Sequence, residues 1–282
     1  MLTIVDFELT FSCERTFRIK IKTHREESDV LKKISYCLYR FIKWWVWLFY
    51  PKMTVIGKEN LPDEPCIIVG NHTLMNGPIA CELYMPGKHY TWCNGEMMHL
   101  KEVPKYAFED FWSKKPKRIR WFYKILSYII APLSVCVFNN ANTIGVYRDA
   151  RILGTFKNTV AMLRDGANVV IFPEHDVPHN HIIYEFQDKF IDVAKLYYKR
   201  TGKEIQFVPL YLAPDLKEMH LGKPVRFSSE NVIDEERKRI CGYLMDEITK
   251  IACALPLHKV VPFKNKPKKE YVTNITPVGH KM

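Results

Sequence analysis

Asn71 and His72 follow the apolar run Cys66-Ile67-Ile68-Val69, which is bounded by Pro65 and Gly70. A short continuous apolar run of this kind reads as a strand buried on both faces of a parallel sheet. Pro78 then suits the first turn of a following helix, where its missing N–H costs nothing. A titratable side chain at the carboxyl end of such a strand lies where open α/β sheets hold their ligands. An imidazole there titrates near physiological pH and can accept a proton, so His72 is the candidate general base. The plainer reading is that His72 only caps the next helix. Further along, Asn168-Val169-Val170-Ile171-Phe172 repeats the pattern, and Pro173-Glu174-His175-Asp176 puts polar groups at its end. Glu174, His175, Asp176, His179 and His181, together with His72, also offer nitrogen and oxygen ligands to a divalent metal, the basis of a rival reading as a metal-dependent hydrolase. Their spacing matches no helix-borne zinc signature and Pro178 interrupts them, which weighs against a metal site.

Asn71-His72, then Ile144-Gly145-Val146-Tyr147-Arg148-Asp149, then Val170-Ile171-Phe172-Pro173-Glu174, then Phe207-Val208-Pro209-Leu210 with Leu221-Gly222-Lys223-Pro224-Val225 follow in this order. Val55-Ile56-Gly57-Lys58-Glu59-Asn60-Leu61-Pro62 leads in to them. In order and rough spacing these blocks resemble the phospholipid/glycerol acyltransferases, the 1-acylglycerol-3-phosphate acyltransferase group, over residues 52 to 255. The resemblance implies transfer of a fatty acyl group from a thioester on coenzyme A or acyl carrier protein to a hydroxyl of a lysophospholipid or glycerolipid acceptor. It implies that His72 deprotonates that hydroxyl, that Arg148 serves a polar head-group site, that Glu174 organises the acceptor pocket, and that no cofactor or metal takes part. Asn71, Pro173 and His175 are assigned with Arg148 to substrate binding.

Where the family's first motif ends in Asp, this chain has Gly77. The carboxylate that would hold the imidazole in its productive tautomer is therefore missing. Asn76, through its amide oxygen, Glu174, Asp176 and Glu82 are the candidates to replace it. Where the family continues from the Glu with Gly, Thr and Arg, this chain has His175, Asp176 and Val177. That removes a planar guanidinium suited to phosphate, and Lys189 is the candidate point charge in its place. These departures define the alternative from another class, a non-catalytic lipid-binding relative.

Over the whole chain, hydrophobic residues make up 47% and the formal net charge is +11. A basic surface attracts nucleic acid or anionic lipid alike. Nothing resembles a zinc finger, a recognition-helix unit or the aromatic motifs of an RNA-binding sheet, and the aromatics sit beside Lys and Arg in two apolar segments. The expected partner is thus an anionic membrane surface and not nucleic acid. Within residues 28–51, Ile34, Leu38, Phe41, Trp45 and Leu48 recur at helical spacing, Lys32, Lys33, Arg40 and Lys43 fall elsewhere, and Trp44, Trp45 and Trp47 suit the head-group level. This spacing predicts an amphipathic helix at the membrane interface. Trp121 to Phe138, after the basic run Lys114-Lys115-Pro116-Lys117-Arg118, reads as a buried helix followed by a strand over Ser134 to Phe138, the alternative being a segment that dips into the membrane. No segment reads as a transmembrane helix, and Asp6 and Glu8 interrupt the N-terminal apolar run, so no signal peptide is expected. The 8 cysteines show no CxxC spacing and read as small buried hydrophobes in a reducing compartment. Asn71-His72-Thr73 and Asn274-Ile275-Thr276 are then not glycosylation acceptors, and the protein is expected at the cytoplasmic face of the cell membrane, peripheral or monotopic.

Amphipathic helices over Gly154 to Arg164, Phe190 to Arg200 and Asp234 to Ala254 alternate with the apolar runs. The alternation predicts an α/β fold with a mostly parallel (mixed) sheet flanked by helices. Residues 1–27 read as a hairpin-like extension, 52–258 as the acyltransferase-like domain, and 259–282 as a disordered basic tail.

Overall fold

The computed structural model describes residues 29–113 and 115–275. The hairpin expected in residues 1–27 lies outside them. The chain divides into two units after Leu48. In the first, helix α1 (residues 29–49, its last residue falling in the second unit) leaves Ile34, Phe41, Trp44, Trp45 and Trp47 exposed.

The second unit is built on strands β1 (Thr54–Ile56), β2 (Ile67–Gly70), β3 (His89–Asn94), β4 (Thr143–Val146), β5 (Asn168–Ile171), β8 (Gln206–Ala213), β9 (Glu218–Leu221) and β10 (Val225–Arg226), with β6 (Glu174–Pro178) and β7 (Tyr184–Phe186) forming a separate hairpin. The main sheet runs β1-β9-β8-β2-β5-β3-β4, with β10 also beside β8. β2 pairs in parallel with both β5 and β8, and β3 with both β5 and β4, while β9 and β10 run antiparallel to β8. The expected α/β architecture with a mostly parallel, mixed sheet is the one observed.

The apolar runs are continuous because both faces of the central strands are covered. On one face Ile67, Val69, Val169, Ile171 and Phe207 pack on helices α5 (Ile152–Arg164), α6 (Asp192–Thr201) and α7 (Ile233–Ala254) through Val160, Leu163, Val193, Tyr197, Leu244 and Ile248. On the other, Cys66, Ile68, Val170, Val208 and Leu210 meet Ala80 and Cys81 of helix α2 (Asn76–Tyr84). Gly70 closes β2 because a Cβ there would lie 3.0 Å from the Leu210 carbonyl oxygen.

The region of helices α3 (Val103–Ala107) and α4 (Arg120–Asn140) departs from the expected pattern. Ser134 to Phe138 is not a strand but the last part of α4, a helix of 21 residues that contains Pro132. Pro132 is exposed, so its ring finds room on the outer face. The helix is also not buried as expected. Ser127, Ala131, Ser134 and Cys136 face inward, where Ala131 meets Val103 and Ala107 of α3. Trp121 (65% exposed), Ile125, Tyr128, Ile129 (67% exposed) and Leu133 face outward. Lys117 to Asn140 is, by length and composition, long and apolar enough to cross a membrane, contrary to the expectation that no segment is.

The tail also differs. Residues 259–275 are not a disordered extension but fold back on the domain: Val260 joins the core, Asn274 is fully buried, and Lys259 bridges to Thr273. Packing is carried by Val260, Asn274 and the half-buried Phe263, while Lys264, Lys266, Lys268 and Lys269 stay outside, so the charge that suggests disorder is confined to the solvent side.

Candidate active site

Strand β2 runs on into Asn71, whose amide spans to the neighbouring strand. Its Nδ2 donates to the Leu212 carbonyl at 3.1 Å, and its Oδ1 accepts the Leu212 N–H at 2.7 Å. Both ends of a buried amide are thereby satisfied, so Asn71 fastens the start of the turn and does not face a substrate. The same burial removes Asn71 and Asn274 as glycosylation acceptors.

The chain then turns through His72, Thr73 and Leu74, with φ of 47° at Thr73 and 58° at Leu74. Left-handed backbone at two successive residues other than Gly costs about 1–3 kcal/mol at each and persists only where the surroundings enforce it. Here Gly77 N–H donates to the His72 carbonyl at 3.2 Å, and Asn76 donates to the Thr73 carbonyl through its backbone N–H at 3.1 Å and its Nδ2 at 2.9 Å. The Asn76 Oδ1 takes the Tyr50 hydroxyl at 3.3 Å. Asn76 therefore supports the turn and is not the orienting group for the imidazole.

Glu174 enters from the end of β5 and accepts the His72 N–H at 2.5 Å through Oε2 and the Tyr184 N–H at 3.0 Å through Oε1. Burial pushes its carboxyl up to about 7, against the downward pull of those two bonds. Glu174 thus clamps the backbone of the turn to the β6–β7 hairpin.

The His72 ring meets Phe172 edge-on at 5.5 Å and 70°, and Phe263 at 5.9 Å and 85°. Burial holds its pKa below the ordinary histidine value, opposed by a hydrogen bond to the Leu74 backbone and by the charge of Asp110. A ring N–H given to a backbone carbonyl fixes a tautomer as a carboxylate would, so the strained turn itself supplies an orienting group. An Asp at position 77 would not fit: a Cβ there would lie 2.7 Å from the His72 carbonyl oxygen and 2.9 Å from the Phe172 ring.

Asp110 lies in a π-helical turn, Phe108–Trp112. Nothing in the local sequence marks it as a site residue, although π turns recur at functional sites. Its charge and that of Arg148 act in opposite directions on Tyr106, which also bonds to Asn94 at the end of β3. The carboxyl ends of β2, β3 and β4 thereby share one electrostatic neighbourhood, with Arg148 exposed just past β4.

The other expected residues lie apart from the ring's contacts. Pro173 is buried and its carbonyl accepts from Gln187. His175 pairs with Glu185 at 3.5 Å, and exposed Asp176 pairs with Lys264 at 3.6 Å. Lys189 is exposed on a short turn ahead of α6. His181 is turned to the Asn274 carbonyl. Among the described residues no three His, Cys, Asp or Glu side chains gather as metal ligands. A cavity of about 550 Å³ lies at the β4 edge between His99, Tyr147, Arg151 and Asn158 and does not include His72. The Arg151 guanidinium beside it is already paired with Asp149 and Glu102.

Fold and site together define an α/β protein with a histidine held in a strained turn at the carboxyl end of a central parallel strand. No protein-family model matches the chain, and no curated protein matches it in sequence. A solved structure similar to it is the 1-acyl-sn-glycerophosphate (LPA) acyltransferase PlsC from Thermotoga maritima, at 14% identity and a TM-score of 0.41, covering 87% of this chain and 89% of that one.

Proposed function

We propose that this protein is an acyltransferase that moves a fatty acyl group from a thioester, on coenzyme A or acyl carrier protein, to a hydroxyl of a lysophospholipid or glycerolipid acceptor. The observation that carries this reading is the setting of His72: a backbone clamp holds it at the carboxyl end of a central parallel strand, where open α/β sheets hold their ligands, and burial lowers its pKa, which favours the neutral ring. The neutral ring accepts the acceptor's proton as its oxygen attacks the thioester carbonyl. The C–S bond then breaks, and the departing thiolate takes the proton back. Arg148 and Asp110, which flank the neighbouring strand ends, border the acceptor's polar group.

Binding at an anionic membrane surface completes the proposal. A soluble helix buries its apolar side, whereas α4 turns Trp121, Ile125, Ile129 and Leu133 outward and keeps serines inward. Lys117 and Arg118 just ahead of it and Lys124 in its first half suit lipid phosphates. Because its inner side packs on α3, we read α4 as lying in the interface at the cytoplasmic face. The test is thiol release from acyl-CoA and from acyl carrier protein, with phosphate-bearing and neutral acceptors on vesicles, for the protein and for His72→Gln. Release that depends on acceptor and is lost in the variant supports the reading. Release unaffected by His72→Gln overturns His72 as the base, and lipid binding without any release favours the non-catalytic relative.

A further inference from the structure

After α7 the chain forms a strap whose two ends are pinned together in the interior. At this stem His258 is buried and meets the Tyr211 hydroxyl at 2.7 Å and the Pro256 carbonyl at 2.8 Å. Asn274 accepts the His258 N–H at 3.0 Å through Oδ1 and donates to the Ala252 and Leu255 carbonyls at 2.8 and 3.0 Å. Val260 N–H donates to the Val272 carbonyl at 2.8 Å, which closes the stem. The residues between cross to the site and reach it through a ring and an exposed ion pair. Phe263 lies 5.9 Å from the His72 ring and 5.8 Å from Tyr184, and Lys264 pairs with Asp176.

We propose that Phe263 is a positioning residue: the strap lays it on the imidazole together with Phe172, and the two aromatic rings hold His72 in a water-poor slot where position 77 has no room for a carboxylate. Two rings that each meet the imidazole edge-on restrict its rotation without charge. They also exclude the water that would otherwise solvate the imidazolium, which keeps the ring in the form that accepts a proton. A catalytic benefit from Phe263 rests on His72 being the reacting base, whereas the shielding of the ring holds whatever the acceptor is.

The test is an NMR titration of the His72 ring in the full chain, its resonance assigned by its loss in His72→Gln. The charge that acts on the ring is that of Asp110; Glu174 lies on its backbone N–H, Tyr184 packs on Phe263, and the Asp176–Lys264 pair next along the strap is solvent-exposed. Phe263→Ala should raise the titration midpoint towards the free value of about 6.5. Asn274→Ala, which unpins the strap without touching the site, should raise it too, while Phe263→Leu should keep it low. Lys264→Ala, which breaks only the ion pair, should leave it unchanged. In acyl transfer, Phe263→Ala should lower kcat by about tenfold or more with KM nearly constant, since a loosened base loses near-attack geometry and not binding. A midpoint that does not move in folded Phe263→Ala and Asn274→Ala overturns the proposal. A midpoint that rises in a protein without acyl transfer supports the strap's role and refutes the proposed reaction separately.

Discussion

Glu174→Gln separates the cost of the clamp from its use. The carboxylate serves two N–H donors, those of His72 and Tyr184. Gln retains one acceptor oxygen and turns an NH₂ group to the other donor, which costs about 1–3 kcal/mol. Against this stands the penalty of burying a charge. A rise in the Glu174 pKa from 4.5 to about 7 corresponds to roughly 3 kcal/mol. The sign follows from proton counting: between those values the folded state holds the proton and the unfolded state does not, so wild-type stability falls as pH rises from 4.5 to about 7 and levels off above it. The variant lacks this slope. At about pH 5, where the wild-type carboxyl is neutral, it should be less stable by about 1–3 kcal/mol. At about pH 8 the two should be nearly equal, because the relief of the buried charge offsets the lost bond. Activity should behave oppositely. With the His72 N–H released, the rate at about pH 8 should fall about 10–100-fold, the scale of a misplacement of about 1 Å. Denaturant unfolding at the two pH values, beside thiol-release rates, makes both comparisons. A variant that is equally destabilised at both, or that keeps the wild-type rate at the higher pH, would refute the clamp.

Gly77→Asp should not raise the rate. Its Cβ meets the His72 carbonyl and Phe172, so unfolding should show a loss of about 1–3 kcal/mol from overpacking. Asp110→Asn should lower the His72 titration midpoint, since the Asp110 charge favours the imidazolium; the shift should shrink with added salt, and an unchanged midpoint would remove Asp110 from the site. Replacing Ile125 and Ile129 of α4 by Glu should abolish binding to anionic vesicles while circular dichroism stays constant, because both side chains are exposed in the folded protein. Vesicle co-sedimentation that survives the double substitution would assign membrane contact to another surface.

The linear order of residues was enough to define the class of the sheet and to place His72 after a buried strand. Cys66 to Val69 and Val169 to Ile171 are apolar at every position and short, with Pro65, Gly70 and Pro173 as bounds, which suits a strand covered on both faces, and open α/β sheets hold their ligands at the carboxyl ends of such strands. The helices over 154–164 and 234–254 were legible because their apolar residues recur with the period of a single helix face. Ser134 to Phe138 was not, since a short apolar run fits strand and helix equally and Pro132 mimics a break. The tertiary structure alone decided what surrounds His72. Glu174 reaches its backbone instead of its ring, Asp110 arrives on a turn with no local signature, and Phe263 is carried in by a segment whose lysines suggest disorder. The physical reason is common to all of them: periodicity reports the face an element buries, while the partners of a single side chain depend on which distant segments close over it, and that is a property of packing with no counterpart in local sequence.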